Sequence, residues 1–139
     1  MASPDDFARR LFRIGRGIKE NADRLVRETS LAVLTEVVVS TPVDRGRARG
    51  NWQVGLGEAP DPSPEEQEAT KDTSGQRTIA EGSTRIARRS SGQDVFLSNN
   101  VPYIGPLNDG SSAQAPAGFI EQAVQAGIDV VKRARLVDR

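Results

Sequence analysis

Residues 31–57, LAVLTEVVVSTPVDRGRARGNWQVGLG, carry the strongest secondary-structure signals of the chain. The first part of this stretch carries apolar residues at helical spacing, and the three valines at 37–39 continue that spacing. Pro42 must end such a helix, because proline lacks a backbone N–H and disfavours helical geometry in the residue before it. We therefore predict a helix that ends near Ser40.

A turn and a strand follow the proline. Asp44 can close the turn through its side chain, and at Gly46 we expect either a positive φ or a close approach of another backbone segment. Gly50 then releases the chain into a predicted strand over residues 51–56, where apolar side chains alternate as they do in a strand with one buried face. The residues on that face are Trp52, Val54 and Leu56.

The helix before Pro42 is long. Pro4 suits a first helical position, Ser3 can cap it, and apolar residues recur every three or four positions from Phe7 onwards. One helix to Ser40 would measure about 50–55 Å at 1.5 Å per residue. Its polar face is basic: Arg9, Arg10, Arg13, Arg16, Lys19, Arg24 and Arg27. That face is either simply solvated or turned towards an acidic neighbouring subunit or DNA.

Three arginines crowd the turn after Pro42: Arg45, Arg47 and Arg49. Glycines beside basic residues can bind phosphate, but the glycine-rich phosphate-binding patterns are absent here. The sequence therefore favours a structural turn over a phosphate site.

The middle of the chain is acidic. Residues 58–74 contain six carboxylates, three prolines and no large apolar residue, so we expect an exposed loop that buries almost nothing. Residues 75–89 are compatible with a short helix or a strand. A second strand is predicted over residues 94–98, and a last helix begins at about Pro116 or Ala117.

The segment NNVPYIGPLNDGSSAQAPAGFIEQAV, residues 99–124, joins the second strand to the last helix. Its asparagines and Pro102 can end a strand and fix a turn, and Tyr103 and Ile104 can pack against the sheet. Small residues around Gly110 allow another backbone to come close. The segment is therefore either a contact rim for a partner or only a connector.

Composition narrows the class of protein. The charges balance at 19 basic against 19 acidic residues, whereas generic nucleic-acid binders usually carry a basic excess. The chain has no cysteine and no histidine, which removes thiol chemistry, disulfides and the commonest general base and metal ligand. No apolar run reaches membrane-spanning length, and the N-terminus lacks the apolar segment of a signal peptide, so we expect a soluble protein.

These elements predict a single α+β domain over residues 1–139. A long N-terminal helix and a C-terminal helix pack on a small, mainly antiparallel sheet, and the acidic loop at residues 58–74 projects from it. Apolar residues make up only 36% of the chain, so the core is lean. A lean core and an over-long helix indicate a subunit that is completed by its neighbours.

Two separated blocks carry a family resemblance. TPVDRGRARGNWQVGLG, followed later by LSNNVPYIGPLNDGSSAQAPAGFIEQAV, resembles the tailed-phage neck and tail-completion family, whose members include tail components similar to minor tail protein Z. Members share a long N-terminal helix, a Pro-Val-Asp-x-Gly turn into a strand, a strand ending in Asn-Asn-x-x-Tyr, and a Gln-Ala-Pro-x-Gly turn before a C-terminal helix. The resemblance covers about residues 38–56 and 95–124.

The resemblance implies a virion structural protein of the head–tail junction, assembled in the host cytoplasm. Such proteins form a ring, commonly a hexamer, that terminates or completes the tail and joins the tail tube protein to the head-side connector or head-closure protein. It implies no enzyme activity, no cofactor and no membrane partner, and DNA only as the passing genome. We predict that the interface with subunits or partners includes Arg45, Arg47, Arg49, Tyr103, Asn108, Asp109 and Ser111. Two rival classes remain. The first is an enzyme that cleaves peptidoglycan or DNA, which the lack of a poised acid–base pair disfavours. The second is a nucleic-acid-binding module that uses the basic face of the first helix.

Overall fold

The computed structural model describes residues 4–43 and 46–137, with side chains described at 9, 17, 19–43 and 46–135. This part of the chain forms six helices and two strands, which confirms the α+β class. In chain order they are α1 (Pro4–Ser40), α2 (Arg47–Gly50), β1 (Gln53–Leu56), α3 (Pro64–Ala69), α4 (Gln76–Ala87), β2 (Val95–Ser98), α5 (Ile104–Asn108) and α6 (Phe119–Val137).

The two long helices pack against each other in opposite directions. Ala123, near the start of α6, lies in the same core cluster as Leu34, whereas Arg135 reaches back to Glu28 with 3.7 Å between the charged groups. A side chain at Gly127 would lie 2.7 Å from the backbone of Val33, so the helix axes approach closely there. Helix α6 therefore covers the C-terminal half of α1.

The N-terminal half of α1 extends beyond this packing. The side chains at residues 19, 20, 21 and 22 are all exposed. Four consecutive residues at 3.6 per turn go all the way around a helix, so no face of α1 is covered at this level. Helix α1 is thus longer than the domain that it supports, as predicted.

The sheet has two strands. Strands β1 and β2 pair antiparallel, with Val54 opposite Leu97 and Leu56 opposite Val95. These four apolar side chains share one face and pack with α1, α4 and α6. The buried cluster at the centre comprises Leu34, Val37, Val38, Trp52, Val54, Ile86 and Ala123.

Trp52 lies just before β1 and connects it to the end of α1. Its indole Nε1–H donates to Thr41 Oγ1 at 2.7 Å, and that hydroxyl donates in turn to the Val37 carbonyl at 2.6 Å. Thr41 is fully buried, so the tryptophan keeps a satisfied polar group inside the core. The predicted strand at residues 51–56 therefore begins two residues later, because Asn51 and Trp52 form the exit of α2.

The acidic segment differs from the prediction. Most of residues 58–74 are exposed, but they contain helix α3, which starts at a capping box in which Ser63 and Glu66 bond to each other's backbone N–H. Gln67 is only 6% exposed, and a side chain at Gly50 would collide with the Thr70 carbonyl. The expectation of a projecting loop that buries almost nothing is therefore wrong.

Two remaining predictions are resolved by the fold. Residues 75–89, compatible in sequence with helix or strand, form helix α4, and the last helix begins at Phe119 rather than at Pro116 or Ala117. The predicted side-chain closure of the turn by Asp44 lies outside the described residues. Among the described residues, no helix has the length and apolar character that a membrane span requires.

Candidate interface site

Arg49 is half-buried and bonds to the backbone around the turn after α1. Its guanidinium donates to the carbonyls of Thr41 at 2.8 Å, Val39 at 3.0 Å and Thr73 at 2.9 Å. The last carbonyls of a helix have no partner within the helix, and the negative end of the helix dipole attracts a cation. Arg49 thus caps α1, a structural role that the sequence did not predict, and its interface role stays a prediction.

Arg47 points to the opposite side of α2. Its Nη1 lies 3.2 Å from Glu68 Oε1, and Nη2 donates to Gln67 Oε1 at 3.4 Å. Its guanidinium carbon lies 5.6 Å from the centre of the Tyr103 ring, within the range of a cation–π interaction. Ile104 packs against the core as predicted, but Tyr103 lies at the surface beside Arg47.

Arg47 and Tyr103 share the wall of an open groove of about 420 Å³. The groove lies between the start of the turn, α3 and α5. Its lining is half apolar and half charged or polar, and consists of Pro42, Val43, Arg47, Ala48, Glu68, Lys71, Tyr103, Leu107, Ser112 and Gln114. We call this the Arg47–Tyr103 groove.

Charge in the Arg47–Tyr103 groove is arranged around one carboxylate. Glu68 lies 3.2 Å from Arg47 and 2.9 Å from Lys71 Nζ, so two cations share one anion. The Nε of Arg47 is buried and has no hydrogen-bond partner among the described residues. The groove therefore carries a net positive charge beside an aromatic ring, a combination that suits a protein segment bearing a carboxylate and an apolar side chain.

Asn108 lies next to the groove, but its side chain bonds to the first turn of α6. Its Oδ1 accepts the Ile120 N–H at 2.9 Å, and its Nδ2 donates to both carboxylate oxygens of Glu121 at 2.9 and 3.0 Å. The hydrogen bond from Asn108 holds the pKa of Glu121 below its usual value. Asn108 thus positions the start of α6, a structural role that the sequence-based interface prediction missed.

The other predicted interface residues divide by position. Asp109 and Ser111 are exposed just after α5, beyond the lining of the Arg47–Tyr103 groove. Arg45 lies outside the described residues. The structure therefore brings two of the seven predicted residues together, Arg47 and Tyr103.

Eight of the ten groove residues were not predicted, and three of these carry a charged or amide side chain: Glu68, Lys71 and Gln114. The Ser-Pro-Glu-Glu sequence at 63–66 is a capping-box pattern and signals a helix there. A helix from that point places Glu68 and Lys71 one turn apart on one face, so they could have been found. No local sequence pattern indicates that Gln114 belongs to the groove, because its partner Val43 is 71 residues away in the chain.

The two blocks that carry the family resemblance lie against each other. Gln114 makes two bonds to the backbone of Val43, accepting its N–H and donating to its carbonyl, both at 2.9 Å. Asn99 Nδ2 donates to the Ala48 carbonyl at 2.7 Å, and the strands of the two blocks pair along their length. One continuous surface is thus formed by residues that are far apart in sequence.

Comparison of the chain with protein-family models, curated proteins and solved structures found no match.

Proposed function

We propose that this protein is a structural component of a tailed-phage virion. In this proposal it forms a ring at the head–tail junction that terminates or completes the tail. The ring contacts the tail tube protein on one side and the head-side connector or head-closure protein on the other, and DNA passes through it.

The observation that carries the proposal is the meeting of the two resemblance blocks. Each block alone is short, and their match to the tail-completion family rests on sequence. Bonds between Gln114 and Val43, and between Asn99 and Ala48, join the blocks into one surface. The two blocks are far apart in sequence. If both contribute to one interface, the fold must bring them together, as it does here.

Two further features favour association as the protein's work. The Arg47–Tyr103 groove is open, net positive and bordered by an aromatic ring, and Tyr and Arg are enriched in protein interfaces. Helix α1 is uncovered on all sides at residues 19–22, which leaves room for a neighbouring subunit. Both features suit a ring subunit better than an isolated domain.

Complementation of the parent phage tests the proposal. Deleting the gene should give DNA-filled heads and separate tails, as seen by electron microscopy, and expression of the wild-type chain should restore infectivity. A chain carrying Tyr103→Asp and Ser112→Lys should stay folded, because both positions lie at the groove surface, yet fail to restore joining.

Val130→Asp provides the matched control for that variant. Val130 is an exposed apolar residue on α6, away from the groove, and its replacement should leave infectivity intact. Full infectivity from the Tyr103 and Ser112 variant, at normal protein levels, would contradict the role of the groove. Normal virions from the deletion phage would contradict the proposed function.

Nucleic-acid binding by the basic face of α1 stays the alternative. The structure describes four side chains of that face: Arg9, Lys19, Arg24 and Arg27. Arg24 bonds to Glu28 at 2.8 Å, and Arg27 donates to the Arg89 carbonyl at 3.1 Å, so these two are engaged within the chain, whereas Arg9 and Lys19 are exposed. A salt-dependent shift of duplex DNA at low ionic strength would support this alternative, and no shift would remove it.

A further inference from the structure

Residues 4–22 of α1, which we call the α1 arm, have an apolar side of their own. The backbone of the arm is helical throughout, and it is about 28 Å long at 1.5 Å per residue. At 3.6 residues per turn, its apolar positions lie within about 60° of one another around the helix axis. These positions are Phe7, Leu11, Ile14 and Ile18. We call them the arm stripe; Phe12 lies outside it.

The exposed end of the arm shows where this stripe leads. By the same spacing, the arm stripe continues to Ala22 and Leu25. Ala22 is exposed, and Leu25 is 40% exposed although it is a large apolar residue. The part of the stripe whose side chains the structure describes is therefore open to solvent.

The arm stripe also lies on the wrong side of α1 for the core of this domain. The core face of the helix carries Leu34, Val37 and Val38, which are buried and lie on the side opposite to the stripe. Val39, which is closer in angle to the stripe, is 56% exposed. Packing within the domain thus does not explain the arm stripe.

The rest of the circumference of the arm is basic. Residues 7–19 contain five basic residues and no acidic residue. Arg9, Arg13 and Arg16 occupy positions opposite to the arm stripe, and Arg10 and Lys19 occupy positions on its two flanks. Arg9 and Lys19, whose side chains the structure describes, are exposed. An apolar stripe with cations alone around it is typical of helices that lie on an anionic membrane surface.

We propose that the α1 arm binds the surface of an anionic lipid bilayer as an interfacial helix. The arm stripe enters the boundary between headgroups and acyl chains, and the five cations are attracted to the lipid phosphates. The inference goes beyond the proposed function and does not rest on it, because the family resemblance implies no membrane partner.

Three other occupants fit the arm less well. Pairing with the arm of a second copy would bring two sets of five cations together with no acidic residue between positions 7 and 19. Duplex DNA would bind the cations but leave the arm stripe in water. An acidic groove on a protein would cover the stripe but not the cations on the far side. A helix is only about 10–12 Å wide, close to the Debye length of about 8 Å, so a charged membrane surface attracts those cations too.

Fluorescent labels on the two sides of the arm test this orientation. The chain contains no cysteine, so a single introduced cysteine can carry an environment-sensitive dye at a chosen position. Ile14→Cys places the dye on the arm stripe, and Arg16→Cys places it on the opposite side. With vesicles of equal parts phosphatidylglycerol and phosphatidylcholine, the dye at position 14 should shift to the blue, and the dye at position 16 should keep its aqueous spectrum. Binding to vesicles of phosphatidylcholine alone should be at least about tenfold weaker.

A charge-neutral double variant tests the contribution of the arm stripe. Ile14→Gln with Ile18→Gln keeps every charge and should reduce co-sedimentation of the full chain with the anionic vesicles by at least about tenfold. Val39→Gln with Val130→Gln is the matched control, because both residues are apolar and exposed outside the arm. The control should bind vesicles as the wild type does. Thermal unfolding of the two variants should match that of the wild type, which shows that the domain is folded.

An unaltered wild-type spectrum and no co-sedimentation with anionic vesicles would overturn the proposal. Equal shifts of the two dyes would do so as well, as would full vesicle binding by the Ile14 and Ile18 variant. A dye at position 14 that is buried in purified virions but not by vesicles would reject the lipid surface in favour of a protein groove. Phage complementation is scored separately, so vesicle binding by a protein that the phage does not need would support the lipid site and reject the neck role.

Discussion

Gly46 is the residue at which the turn after α1 is most constrained. Its φ is +80°, and its backbone carbonyl accepts N–H bonds from both Gly50 and Asp72. A side chain there would lie 2.7 Å from the backbone of Asp72 and Thr73. The residue therefore meets two demands, a left-handed conformation and a close approach, which the sequence offered only as alternatives.

Gly46→Ala should lower the free energy of unfolding by more than the cost of placing alanine at a positive φ. Gly92 has nearly the same φ, +79°, but open space around it, so Gly92→Ala should lower the free energy of unfolding by about 1 kcal/mol. Gly46→Ala adds a backbone collision, and we expect a loss of at least about 2 kcal/mol. Urea unfolding measures both, and equal losses would contradict the close approach.

At the scale of elements, local signals predicted the parts of the fold that they control. The apolar spacing and Pro42 predicted α1 to its last residue, and alternation predicted both strands to within two residues. The capping box at residues 63–66 was a local signal for α3, but the burial of Gln67 had none, because its contacts come from Asn51 and Asn100, which are distant in the chain. The same limit applies to the site, where Arg49 and Asn108 bond to distant backbone that no local pattern reveals.

Asp72 should make the stability of α4 depend on pH. Its carboxylate accepts bonds from the N–H and hydroxyl of Thr78, both at 2.9 Å, and from the Gly75 N–H at 3.1 Å. Burial raises the pKa of Asp72, but these hydrogen bonds outweigh it and leave the pKa below the usual 3.8. A lowered pKa in the folded state adds stability above the unfolded pKa, and that stability is lost as the pH falls through the folded value.

The comparison of wild type with Asp72→Asn measures this effect. The variant should be less stable at neutral pH, and the difference should shrink as the pH falls below about 4. Asp109→Asn, at an exposed position, should show little difference at any pH. If the difference in stability between wild type and Asp72→Asn stayed constant down to the pH of acid unfolding, the role of the Asp72 charge would be contradicted.

Deleting residues 60–73 and bridging the gap with Gly-Ser should unfold the domain or strongly destabilise it. Asn51, fully buried, would lose the bonds between its side chain and both Gln67 and Thr70, and α4 would lose Asp72. Buried polar groups without partners cost about 1–3 kcal/mol each. Glu65→Ala, which alters the same segment at an exposed position, should leave the melting temperature nearly unchanged. A well-folded deletion protein would restore the expectation of a free loop.

At the scale of the whole molecule, several features of the fold are more typical of a subunit in an assembly than of a domain that works alone. The core is small, and α1 extends past the helix that covers it. Both features leave surface for a neighbour to cover. The Arg47–Tyr103 groove is a separate surface, which in the proposed ring would be available to a partner of different sequence.

A cryo-EM map of the neck of the parent virion would show whether this chain forms a neck ring. We expect a closed ring of this chain at the head–tail junction, recognisable by the antiparallel pair of α1 and α6, with DNA or an open channel at its centre. A well-resolved neck without this chain, or this chain found elsewhere in the particle, would contradict it.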